Sequence, residues 1–118
     1  MKQFNYTIEL KNNYIVANLE GKITGEEEIG DFSKKITDAL EKHSNVILNL
    51  KKLTHLNSSG LNVFISILTK SRVKGGETII TNIPESINKL LLITKLNTVF
   101  EITNTLEEAE NKFTFIQS

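Results

Sequence analysis

Phe4, Tyr6, Ile8 and Leu10 alternate strictly with polar neighbours, a period of two that predicts a strand with one wet face. Asn12-Asn13 supplies a turn. The stretch from Tyr14 to Glu20 is richer in Ile, Val, Ala and Leu and reads as the second arm of a hairpin ending at Gly21. The period then changes. Ile29, Phe32, Ile36, Ala39 and Leu40 recur at three- and four-residue intervals with Glu, Lys and Asp between them, which predicts a helix whose single apolar stripe lies on a flat partner. Thr24 and Glu27 precede it at the spacing of a capping box, in which hydroxyl and carboxylate each satisfy a backbone N–H at the helix start. Val46 to Leu50 is short and almost continuously apolar, the signature of an interior strand, which places it at the centre of the sheet.

Asn57-Ser58-Ser59-Gly60 offers three good cap residues in a row, and Leu61, Phe64, Ile65 and Leu68 follow at helical spacing. Gly75-Gly76 ends that second helix, Thr78 to Thr81 supplies a fourth strand, and Pro84 suits the first turn of a third helix running through Leu90-Leu91. Most of the cluster from Leu90 to Ile93 is expected to pack on the sheet. Val99 to Ile102 reads as a last strand. Thr105 with Glu108 repeats the capping box before Leu106, Ala109 and Phe113 stripe a final helix. The order β-β-α-β-α-β-α-β-α predicts an α/β fold with a mixed sheet of about five strands and four helices. The 118 residues suit one domain spanning 1–118.

Composition narrows the function classes. Without cysteine there is no disulfide, thiolate nucleophile or Cys-based metal site, which favours a reducing, cytoplasmic setting. Fourteen basic residues balance fourteen acidic ones, and no element gathers Lys and Arg into the stripe that phosphate backbones demand, so no nucleic-acid partner is expected. The N-terminus turns polar at once, and no apolar stretch is long enough to span a bilayer, so no signal peptide and no membrane insertion are expected. His43 and His55 lie far apart with no companion at ligand spacing, so no metal is expected. No P-loop, nucleophile elbow or paired-carboxylate pattern appears. The expectation is therefore no catalytic residue, no cofactor and no enzymatic activity. Glu26-Glu27-Glu28 reads as acid complementing the positive end of a helix.

The turn from Asn57 to Gly60 sets small hydroxyls where the central strand gives way to a helix N-terminus, where free N–H groups and the helix dipole stabilise a phosphate without a nearby lysine. Taken alone, such a turn more often means a cap and a packing glycine. The surrounding string carries more information: Val46-Ile47-Leu48-Asn49-Leu50, then Leu53-Thr54, then Leu56-Asn57-Ser58-Ser59-Gly60-Leu61-Asn62-Val63-Phe64. It resembles the STAS domain of anti-sigma factor antagonists, in which a hydrophobic strand leads to Asp-Ser-Ser/Thr-Gly-Leu-Gly and an apolar helix. Gly75 through Ile80, Ile87 through Leu96 and Glu107-Glu108-Ala109 resemble further segments of that family, so the resemblance covers nearly the whole chain.

The resemblance implies a protein that works by binding partners. In the family, the serine after the acidic residue is phosphorylated by an anti-sigma factor that is also a serine kinase, which makes Ser58 the expected phosphorylation site. The unphosphorylated antagonist binds the kinase and frees a sigma factor, the phosphorylated form lets go, and a serine phosphatase resets it. The implied partner-binding residues are Thr24, Asn57, Ser58, Ser59, Gly60, Leu61, Asn62 and Val63, in a monomer or weak dimer. Three positions depart from the pattern: Asn57 replaces the acid before the serine, Thr24 stands where Gly-Glu-Leu-Asp has its acid, and Asn62 replaces a glycine. Two other readings stay open. One is a non-switching STAS scaffold or sensor-associated interaction domain, which the missing acids favour. The other is an anion- or nucleotide-binding or transporter-associated STAS protein, with the ligand at the helix N-terminus beside Ser58 and Ser59.

Overall fold

The computed structural model describes residues 3–115; the remaining ends of the expected 1–118 domain lie outside the described residues. Ten elements follow in order: β1 (Phe4–Leu10), β2 (Ile15–Ile23), α1 (Glu26–Ala39), β3 (Val46–Leu56), α2 (Ser58–Val73), β4 (Thr78–Thr81), α3 (Glu85–Ile93), a 3-10 turn (Leu96–Thr98), β5 (Glu101–Thr103) and α4 (Leu106–Phe115). The sheet runs β1-β2-β3-β4-β5 with β3 in the middle. Only β1–β2 is antiparallel, and each later pair is parallel. The strand and helix order, the mixed five-stranded sheet, the four helices and the central position of β3 are all as the sequence predicts.

The two faces of the sheet are covered unequally. Alternate residues Ile15, Ala17 and Leu19 of β2 and Val46, Leu48 and Leu50 of β3 join Ile29, Phe32 and Ile36 of α1 and Leu61, Phe64 and Leu68 of α2 in the main core. The opposite positions Val16, Ile47 and Ile79 form a smaller cluster with Tyr14 and with Ala109 and Phe113 of α4. Beyond that cluster a polar row crosses all five strands in register, Thr7 to Asn18 to Asn49 to Thr81 to Thr103. Asn49 Nδ2 donates to Asn18 Oδ1 at 2.8 Å, and Asn18 Nδ2 donates to Thr7 Oγ1 at 3.1 Å, which links the side chains of three of the five strands.

Several boundaries differ from expectation, each for a local reason. The capping box at Thr24 and Glu27 does not form. Gly25, in extended conformation, takes the cap position with no side-chain hydrogen bond, and Thr24 Oγ1 donates instead to Gln3 Oε1. β2 does not end at Gly21 but continues to Ile23 through two irregularities in its pairing with β3. β3 likewise runs past Leu50 to Leu56. Beyond Asn49 it pairs only with β2, so its exposed Lys51, Lys52, Thr54 and His55 are tolerated where an interior strand would exclude them. Pro84 is the cap of α3 rather than a first-turn residue, and Val99-Phe100 follow the 3-10 turn instead of entering β5. Ile65 faces out while Ile67 takes the core position. Of the Leu90 to Ile93 cluster, Leu91 is buried and Leu90 packs on the core, whereas Leu92 and Ile93 are exposed.

Two tyrosines tie the layers together. Tyr14 donates to Glu110 of α4 at 2.6 Å, and Tyr6 donates to Asp31 of α1 at 2.5 Å. Burial first, and then the carboxylate each hydroxyl serves, push both phenols up to about 12.

Candidate functional site

The end of β2 and the end of β3 lie side by side, with Ile23 paired to Leu56, so the residues that follow each strand emerge together at one corner of the sheet. The Asn57 N–H donates to the Ile23 carbonyl at 3.2 Å, which joins the two exits. Asn57 itself is extended (φ −98°, ψ −179°), and its Oδ1 accepts from the Gly60 N–H at 2.9 Å. Its carbonyl accepts from Leu61 N at 3.1 Å, the first intrahelical bond of α2. Asn57 therefore caps the helix, and Ser58 and Ser59 fill the first two helical positions, upstream of that bond. Gly60 is buried, and a Cβ there would lie 2.4 Å from Leu56 Cδ1 and 3.0 Å from Ile23 Cγ2. Its lack of a side chain lets the first turn of α2 sit tightly on the strand ends.

The expected site residues separate into two groups. Gly60 and Leu61 are buried and hold the turn in place, with Leu61 in the main core. Thr24, Ser58 and Asn62 are exposed, and Asn57, Ser59 and Val63 are half-buried. Of the eight expected residues, these six therefore reach solvent. Ser58 is the exposed serine, and among the described residues its hydroxyl has no hydrogen-bond partner. Ser59 Oγ donates across to Glu26 Oε1 in the first turn of α1, at 3.5 Å, the outer limit of such a bond. A shallow groove of about 510 Å³ runs from there between α1 and α2, lined among others by Glu26, Ile29, Gly30, Ser59, Asn62 and Val63.

Glu26 is the residue that sequence reasoning did not assign to the site. Glu26, Glu27 and Glu28 do occupy the first turn of α1, as the charge argument has it. The contact of Glu26 with Ser59, however, spans 33 residues and has no local signature. Glu28 is also diverted, accepting from Phe4 N at 3.0 Å.

The chemistry of the corner follows from this geometry. A 16-residue helix directs the positive end of its dipole at an exposed hydroxyl, with no acid in its own first turn to offset it. His43 and His55 do not meet, and among the described residues no group of three or more His, Cys, Asp or Glu side chains is placed to hold a metal. Nor is any helix among the described residues long and apolar enough to cross a membrane.

A mixed five-stranded sheet carries a helix start with two serines beside its central strand. The model of the STAS domain matches residues 5–109, and the chain belongs to that family. The fold agrees with solved structures of low sequence identity. The anti-sigma factor antagonist SpoIIAA in its unphosphorylated form superposes with a TM-score of 0.82 at 20% identity, covering 93% of this chain and 96% of that one. The phosphorylated form of the Bacillus cell fate determinant SpoIIAA gives a TM-score of 0.75 at 20% identity, covering 92% and 99%. An anti-sigma factor antagonist from Mycobacterium paratuberculosis gives 0.81 at 16% identity, covering 92% of each chain.

Proposed function

We propose that this chain is an anti-sigma factor antagonist: it binds an anti-sigma factor with serine kinase activity through the corner formed by Thr24, Asn57, Ser58, Ser59, Asn62 and Val63, and phosphorylation of Ser58 ends the complex. The observation that carries the reading is the exposed Ser58 hydroxyl at the first position of α2, without a hydrogen-bond partner among the described residues, in a chain of the STAS family. Likeness of fold to structures described as anti-sigma factor antagonists supports it. In the transfer, the Ser58 oxygen attacks the γ-phosphorus of ATP, the bond to the bridging oxygen breaks, ADP leaves, and the hydroxyl proton passes to a base of the kinase. A serine phosphatase reverses the modification by hydrolysis. Sigma factor and kinase place the chain in the cytoplasm, and its own part is binding rather than catalysis.

The phosphate acts locally. It brings a charge of about −1.5 to −2 and three acceptor oxygens to a surface that docking would dry, so the bound state loses stability through repulsion and desolvation. The free chain keeps its fold, because phosphate at a helix start complements the dipole. Asn57 retains the cap without a charge, and so does not add to this repulsion. The reading is tested by adding the unmodified chain to a complex of sigma factor and anti-sigma factor from the same host. Release of the sigma factor in proportion to added chain is expected; an intact complex at every concentration contradicts the reading.

A further inference from the structure

Two serines stand next to each other at the start of α2, and the structure makes them unlike. Ser59 is half-buried, lines the α1–α2 groove, and has its hydroxyl 3.5 Å from the carboxylate of Glu26. Ser58 is exposed and has no such partner among the described residues. We propose that Glu26 is the specificity-determining residue of this corner: its charge closes Ser59 to phosphate and leaves Ser58 as the single acceptor. The proposal rests on the phosphorylation reading above and adds to it the group that chooses between the serines.

The argument is electrostatic. A phosphoryl group transferred to Ser59 Oγ would bring its negative oxygens to within a few ångströms of a carboxylate and would remove the hydrogen that now bridges the two oxygens. The groove wall there includes Ile29 and Val63, but the contact itself is exposed, so the repulsion acts at close range only. Lys34 and Asp38 line the same groove on α1, as base and acid. Glu26 is well placed because Gly25 starts α1 immediately after the β2 exit, which the bond between Asn57 N and the Ile23 carbonyl holds against the start of α2. The helix dipole favours a phosphate at either serine, so the difference between the two comes from Glu26.

The test uses the full chain carrying genetically encoded phosphoserine at position 58 or at position 59, each with and without Glu26→Gln, and follows the phosphate by phosphorus NMR as pH is varied. The second ionisation of phosphoserine ordinarily falls near pH ~6. At 59 it is expected to lie about 0.5 to 1 unit above its value at 58, and Glu26→Gln should remove most of that gap while leaving the value at 58 in place. Equal values at the two positions, or a gap that survives Glu26→Gln, would overturn the assignment. If the 59-phosphoserine chain does not fold, Glu26→Gln should restore folding, and failure to do so counts against the proposal. With the kinase and ATP, the wild-type chain should gain phosphate on Ser58 alone and Glu26→Ala on both serines; phosphate on Ser59 of the wild type overturns the proposal. Absence of phosphate from every variant, with the NMR gap intact, would sink the phosphorylation reading and leave the effect of Glu26 on Ser59 established.

Discussion

Ser58→Glu should weaken binding to the anti-sigma factor about 30-fold or more, equivalent to ~2 kcal/mol, while leaving the melting temperature unchanged or slightly raised. The two halves of this expectation have different origins. In the complex, a carboxylate at the exposed first position of α2 must be dried and set against the partner surface. In the free chain, the same carboxylate enters a helix turn with no acid of its own, where a negative charge stabilises by about 0.3 to 1 kcal/mol. A misfolded variant would lose both affinity and melting temperature, so calorimetric titration beside a thermal melt separates the explanations. Ser58→Ala, which adds neither charge nor bulk, should bind within a few-fold of wild type. Equal affinity for Ser58→Glu and wild type would remove Ser58 from the interface.

Gly76→Ala is the substitution expected to cost the fold most for the least chemical change. The helix α2 ends in a pair of reversed bonds, from Gly75 N to the Arg72 carbonyl at 3.0 Å and from Gly76 N to the Ser71 carbonyl at 2.8 Å, the Schellman pattern. Gly75 carries the left-handed conformation this demands, at φ +85°, with open space around it. Gly76 has a different constraint. A Cβ there would lie 1.9 Å from the Ser44 carbonyl oxygen and 2.4 Å from its carbon, both backbone atoms of the segment leading into β3. That segment cannot retreat freely, because Val46 N donates to the Glu77 carbonyl and Glu77 N donates to Asn45 Oδ1. The expected loss is about 3 kcal/mol or more, a fall in melting temperature of about 12 °C at this chain length. Gly75→Ala pays only for its backbone angle, about 1 to 2 kcal/mol. Thermal melts should therefore rank Gly76→Ala well below Gly75→Ala, and the reverse order would show that the approach to Ser44 is not as close as described.

The hydrophobic periods carried the architecture because each reports a face that must be buried. The stripe Ile29, Phe32, Ile36 and the run Val46 to Leu50 meet in the main core. What local pattern could not supply was anything decided by a distant neighbour. Thr24 with Glu27 and Thr105 with Glu108 have the same spacing, yet only the second closes: Glu108 N donates to Thr105 Oγ1 at 3.1 Å, and Glu108 Oε1 accepts from Thr105 N at 3.2 Å. At the first, Gln3 captures the threonine and Gly25 takes over the cap. The polar tail of β3 disguised a strand because only β2 flanks it there. The candidate site divides in the same way. The cap, the two serines and the packing glycine are contiguous and were legible as a motif, whereas the carboxylate that engages Ser59 comes from another helix, 33 residues earlier.

The most direct test of the account is intact-mass analysis of the chain after incubation with ATP and the kinase-type anti-sigma factors of its own host, beside Ser58→Ala treated identically. The account predicts one phosphate on the wild type and none on Ser58→Ala. A phosphate that persists in Ser58→Ala, or a partner that binds the chain tightly and never phosphorylates it, would contradict the switch and leave a STAS domain that binds without being turned off.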